Sequence, residues 1–437
     1  MDISSLIAHF VAEFPDKDLP DSAMNILHLS LVDWVSVALA GRKESVSRIV
    51  REMAADEGGA EEAQVIGLSR RLPARAAALV NGTVSHALDY DDTHFLYLGH
   101  PSVAVIPAAL AIADKLGVGA HAFQNATLIG MEVACRVGAW LGRKHYRTGF
   151  HVTSTAGTFG AAMAAARLMG LPLEQTANAL GLAASRASGV KAQFGTMGKP
   201  YHAGMAASAG VEAALLAAKG FVAAKKGLDG PQGFGETHHG CFHEDAFDGL
   251  GKNYVFEGVS HKFHACCHGT HAALEALILL RNEHWLKPDD VDEIEITVHP
   301  QYLDVCSIVE PHTGLEVKFS YRMIAALALH ERDTARMETF SDDVCREPIL
   351  IALRDRVRVK TSSVIAETAA SVRMKLRGGS VLTAGYDLKS LTDPSKREIK
   401  IRSKAASLLG PDRASSLWNA VANATVLPSD WIKENEV

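Results

Sequence analysis

The sequence predicts a mainly α-helical fold, with a large all-helical domain followed by a smaller α+β domain. Three observations carry this reading. Apolar residues recur at helical spacing through the first half. Strand-like alternation begins only after about residue 255. Aromatic residues make up 6% of the 437 positions while alanine and glycine abound, a composition suited to close helix packing.

The elements follow in order. Asp21 or Ser22 can cap a helix carrying Ile26, Leu27, Leu31, Val32, Trp34 and Val35, ended by Gly41. Further helices are expected at 75–88 and 107–116. From 153 to 220, Ala, Gly, Leu and Met dominate, and small residues let helix backbones approach closely. A long glycine- and histidine-bearing loop at 227–253 is expected to be functional, as long loops often are. Then 292–298 and 356–360 alternate polar and apolar residues, and 371–376 and 380–384 flank Gly378-Gly379 as a hairpin. Helices are expected between them at 270–282 and 321–330. A final helix, 405–424, is expected to return to the first domain. The expected domains are therefore 1–255, 256–403 and a C-terminal segment, 404–437.

Composition narrows the function. Lys+Arg is 44 and Asp+Glu 50, giving a net charge of −6, which argues against a nucleic-acid partner. No apolar run reaches the roughly 18 residues of a membrane span, and no basic-then-apolar leader is evident, so no membrane partner and a cytoplasmic location are expected. Six cysteines at 135, 241, 266, 267, 306 and 345 show no framework spacing and read as reduced thiols.

Four stretches could carry chemistry. Between His86 and His100 lie three histidines and three aspartates, able to fix tautomers, move protons or hold a metal, or merely to cap helix ends. Tyr146 to Thr158 runs through His151 into a Thr/Ser-rich helix start, either an anion site or ordinary capping. Gly195 to Gly204 contains Lys199 and His202, but Pro200 and the glycine spacing exclude a phosphate-binding loop. His261 to His271 holds four histidines and two adjacent cysteines, a poor zinc pattern and a better source of hydrogen-bond donors such as His268 and His271. Signatures of zinc proteases, α/β-hydrolases and dinucleotide enzymes are missing.

Taken together, 86–93, 100–102, 149–157, 198–204 and 262–271 resemble the MmgE/PrpD family, in the family's order and across essentially the whole chain. The family includes 2-methylcitrate dehydratase, cis-aconitate decarboxylase and iminodisuccinate epimerase. The resemblance implies a helical domain with an α+β lid, a homodimer, a small polycarboxylate substrate and no metal or organic cofactor. By matching motif it implies catalytic roles for Asp89, His100, His151 and Lys199, with Tyr146 beside them, and substrate contacts from Thr93, His202, His268 and His271. The site is expected between the two domains. His151 is followed by Val152, where many members have proline, and Met323 stands where the decarboxylase has a tyrosine.

The resulting expectation is a cofactor-independent lyase of dehydratase or hydratase type. It would abstract a proton next to a carboxylate, with an epimerase or a non-catalytic carboxylate-binding protein as alternatives.

Overall fold

The computed structural model describes residues 2–390 and 393–435. It is mainly helical with a smaller α+β part, and it divides into two compact units. One comprises Met1–His261 with Leu409–Val437, the other Lys262–Leu408.

The first unit is built around four helices. Ala120–Thr148 packs on Val152–Leu168, which packs on Gly198–Ala218, which packs in turn on Ala74–His86. Small residues make these contacts close. A side chain at Gly82 would meet the Cα of Gly204 at 2.8 Å, and one at Gly204 would strike the Leu79 carbonyl and the Thr83 hydroxyl. Two helices that end at the candidate site thus touch backbone to backbone.

Pro107 lies inside the helix Ser102–Leu116 rather than at its start. The helix begins one turn earlier than expected because Val103, Val105 and Ile106 are all buried, and tertiary packing outweighs the lost hydrogen bond. Asp21–Gly41 is long and apolar enough to cross a bilayer by length and composition, and most of it is buried among its neighbours. Polar residues such as Asp33 interrupt its apolar run.

The loop expected to be functional is anchored structurally. Arg136, buried, donates to the carbonyls of Ala246 (2.8 Å), Asp248 (3.0 Å) and Asn253 (2.5 Å). Its partner Glu132, 2.6 Å away, accepts from the backbone N–H groups of Val255 and Phe256. A buried charge pair of this kind holds only when its remaining donors and acceptors are satisfied.

The helix expected at 405–424 is two helices, not one. Gly410 adopts φ 88° and is followed by Pro411, which ends Pro394–Leu409 and starts Pro411–Ala422. Pro411–Ala422 and Pro428–Asn435 pack on Asp21–Gly41. Ser429 Oγ donates to Asp114 Oδ1 at 2.6 Å.

The second unit holds a four-stranded sheet. Its strands, in chain order after the short pair β1 (Thr93–His94) and β2 (Val259–Ser260) of the first unit, are β3 (Val291–Val298), β4 (Val357–Thr361), β5 (Ala369–Leu376) and β6 (Val381–Asp387). The order is β4-β3-β5-β6, with β3 and β4 parallel and the other pairs antiparallel. Alternate residues Ile294, Ile296 and Val298 of β3 and Val372 and Met374 of β5 are buried, which is why alternation reveals these strands. The helix His268–His284 packs on β5 and β6.

Candidate active site

The site grows from four chain segments of the first unit. The helix Ala74–His86 ends at His86. The following turn places Asp89 in a left-handed conformation, φ 50°. The loop then runs through Asp91 and Asp92 to His100. The helices Val152–Leu168 and Gly198–Ala218 begin beside it, contributing His151, Lys199 and His202.

Asp91 is the centre of the arrangement. It is buried, and it accepts from His86 Nδ1 at 2.8 Å. Its other oxygen lies 2.8 Å from His100 Nδ1. Burial alone would raise its pKa, but the two histidines outweigh that and hold the carboxyl well below the usual range. His100 is pushed down to about 4, by burial first, against the opposing pull of Asp91. At neutral pH the pair is therefore a carboxylate against a neutral ring. A carboxylate beside Nδ1 favours the proton there and leaves Nε2 as an acceptor. His100 Nε2 in turn lies 3.5 Å from Asp89 Oδ1.

Lys199 Nζ lies 2.7 Å from Asp89 Oδ2, with the lysine side chain 16% exposed. It also stands 5.5 Å over the Phe194 ring. His151 N-caps its helix, and its ring meets Phe194 edge-on at 4.9 Å. Its Nδ1 lies 3.0 Å from Nδ1 of His202. Burial, then His86, Lys199, His100 and His202, holds His151 well below the ordinary histidine pKa. His202 is lowered too, by burial and then His86. The structure thus brings together Asp89, His100, His151, Lys199 and His202, with His86, Asp91 and Phe194 as further members.

Other expected residues sit differently. Thr93 lies in β1 and donates to the Ser260 carbonyl at 3.4 Å. The Tyr146 ring lies beneath Lys191 Nζ, 3.7 Å from the centroid. His268 and His271 belong to the second unit. There, His271 is buried with Nε2 3.3 Å from the Cys266 carbonyl and its ring 4.8 Å from that of His268. His94 is structural: Nε2 faces the Val255 carbonyl at 2.8 Å, and Nδ1 accepts from the N–H groups of Leu96 and Tyr97. The hydroxyls that open the helix after His151 are engaged within the protein. Thr153 accepts from the His100 N–H, Ser154 donates to the His202 carbonyl, and Thr155 meets His145 Nε2. They position histidines as well as decorating a helix start.

A second layer lies behind. Asp92 is buried and accepts from Ser30 Oγ at 3.0 Å and from Ser102. Burial first, then Asp33 and Asp91, pushes its carboxyl up to about 7 against the pull of those hydroxyls.

His86, Asp89, Asp91 and His100 each offer a ligand atom within 4.8 Å of the others, so by geometry these four could hold a metal ion. Lys199 already supplies a positive charge to Asp89 at that point.

Family models for the MmgE/PrpD N-terminal domain and C-terminal domain match residues 5–243 and 264–411. The chain belongs to the MmgE/PrpD family. Among curated relatives of this MmgE/PrpD chain is the cis-aconitate decarboxylase-like protein oryM of Aspergillus oryzae, 30% identical over 300 residues, which are 64% of this chain and 62% of that protein. The cis-aconitate decarboxylase of Aspergillus terreus is 25% identical over 423 residues, 88% of this chain and 84% of its own length. That of Mus musculus is 28% identical over 374 residues, 80% and 76% respectively. The MmgE/PrpD motifs that carry the resemblance are those that supply the cluster, at 86–93, 100–102, 149–157 and 198–204.

Proposed function

We propose that this MmgE/PrpD member is a lyase that acts on a small polycarboxylate by moving a proton next to a carboxylate, without a metal or organic cofactor. One observation carries the reading: a largely buried lysine, Lys199, stands among two neutral histidines, His100 and His151.

A proton beside a carboxylate is weakly acidic, so its removal needs the carboxylate's charge neutralised and the developing enolate stabilised. The Lys199 ammonium supplies that charge. His151 is the base, since its neutral form prevails at neutral pH. His100 Nε2, its tautomer set by Asp91, accepts from a substrate hydroxyl and orients it. In a dehydration the C–H electron pair moves to the carbon as His151 takes the proton. The C–O bond then breaks, the hydroxide leaves with a proton returned by the imidazolium, and a C=C bond remains.

Dehydration or its reversal is favoured over decarboxylation because, on the family resemblance, the decarboxylase's tyrosine corresponds to Met323, which here is buried in the helix Tyr321–Leu329. The relatives' names favour the second reading, loss of CO₂ from cis-aconitate. Incubation with 2-methylcitrate, citrate and cis-aconitate, followed by NMR and CO₂ detection, separates them. Water loss or addition supports the first reading, and CO₂ release from cis-aconitate alone replaces it with the second.

A further inference from the structure

The contact between His151 and His202 has a consequence for proton transfer. Both rings are buried, and their Nδ1 atoms lie 3.0 Å apart. Two Nδ1–H groups would clash there, and two lone pairs would repel. One proton is therefore shared, and the two rings carry opposite tautomers. The positions are rigid. His202 lies within the helix Gly198–Ala218, one turn after Lys199, and its carbonyl accepts from Ser154 Oγ at 3.0 Å. The His151 N–H donates to the Gly189 carbonyl at 3.0 Å. Gly189, at φ 123°, brings that loop directly onto the pair, since a side chain there would meet Ser154 at 2.8 Å and the His202 ring at 3.4 Å.

We propose that His202 is a positioning residue that takes up the Nδ1 proton of His151, through the hydrogen bond joining their Nδ1 atoms, as His151 Nε2 gains a proton from the substrate. This rests on the lyase reading above. In the resting state His151 carries the Nδ1 proton and presents a bare Nε2. When Nε2 gains the substrate proton, the Nδ1 proton crosses to His202, whose Nε2 already bears one. The C–H bond breaks and an N–H bond forms on His151 Nε2. The Nδ1–H bond of His151 breaks and one forms on His202. The positive charge thereby leaves the ring on which Lys199 and His100 bear. The reverse shift returns the proton to the leaving hydroxyl. His202, expected from sequence to touch substrate, acts through His151 instead.

Two measurements test this. The first needs no turnover. ¹⁵N NMR of the imidazoles in the intact protein should show one ring of the pair protonated at Nδ1, the other at Nε2, and a low-field shared proton lost in His202→Phe. Two Nε2–H rings would overturn the proposal. The second uses His202→Asn, whose amide keeps a hydrogen-bonding group near the Nδ1 position but cannot store a proton. With whichever of citrate, 2-methylcitrate or cis-aconitate the wild type turns over, kcat should fall by about 10² while KM changes little. The proton inventory in mixed H₂O/D₂O should change from curved to linear. Unchanged kcat, or a fall with KM rising in parallel and an unchanged inventory, would overturn the relay. A wild type inactive on all three acids but showing the paired tautomers would contradict the lyase reading and leave the shared proton established.

Discussion

Lys199 Nζ and Asp89 Oδ2 lie 2.7 Å apart at the start of the helix Gly198–Ala218. Asp89 occupies the lysine that an incoming carboxylate would use, so substrate must share or displace that contact. Replacing Lys199 with Ala should therefore weaken binding and lower kcat/KM by about 10²–10³, the usual effect of losing one electrostatic donor. Asp89 is 43% exposed and tolerates solvation, so thermal unfolding should change little. Steady-state kinetics beside a melting curve checks both.

His151→Asn removes the base but keeps a small polar side chain at the helix start. Turnover should fall by roughly 10²–10⁴ with the fold intact. Single-turnover rates on a confirmed substrate, compared with circular dichroism, test this. A wild-type rate would move the base to His100.

Asp92 links the layer behind the site to stability. Its carboxyl is raised to about 7, so the folded state retains a proton that the unfolded chain releases near pH 4. Stability from this group is present below pH 4 and is lost as pH rises through 7. Asp92→Asn should flatten that fall, gaining on the wild type by up to about 3–4 kcal/mol between pH 4 and pH 8. Asp91 has the opposite sign: its depressed pKa stabilises above the ordinary carboxylate range and is lost on acidification. Urea unfolding at several pH values separates the two.

Much of this organisation was readable in the chain. Apolar spacing locates helices such as Asp21–Gly41 and Ala74–His86 closely, because packing there agrees with local preference, but Pro20 is the N-cap of the first and neither Asp21 nor Ser22 caps it. The strands β3 and β5 are half-buried, so period-two alternation marks them within a residue or two, whereas β6, with no buried face, runs three residues past its expected end. The motif segments supply the cluster, but their inner roles are set by three-dimensional contact. His86 and Asp91 lie in the first motif, yet only geometry makes Asp91 the bridge between two rings. Phe194 carries no chemical signature, and its place against His151 depends on loop packing. Arg136 and Glu132 sit four apart on a helix, an ordinary surface pattern, and only their burial reveals the loop they hold.

Gly204 tests how the helices place these groups. A methyl at this position would press on the Leu79 carbonyl and the Thr83 hydroxyl. Gly204→Ala should cost about 1–3 kcal/mol by overpacking and should lower activity by moving His202 and Lys199 together. Chemical denaturation and kcat on the same preparation measure both. A neutral change would show that the helices part freely.

Four ligand-capable side chains around Asp91 raise the question of a cation. With Lys199 supplying the positive charge, activity should survive exhaustive dialysis against EDTA, and added Zn²⁺ should inhibit by competing for His86 and His100. Activity lost on chelation and restored by stoichiometric Zn²⁺ would assign the cluster to a metal.

Deuterium incorporation, followed by ¹H NMR, reads proton abstraction beside the carboxylate. The enzyme is incubated in D₂O with di- and tricarboxylates including citrate, 2-methylcitrate and cis-aconitate. The expected result is deuterium appearing at a carbon next to a carboxylate in at least one acid or its product, with the rate falling by about 10² or more in Lys199→Ala and His151→Asn. Carboxylates that bind with no exchange and no conversion, equally in wild type and both variants, would rule out proton abstraction by His151 and leave a carboxylate-binding protein.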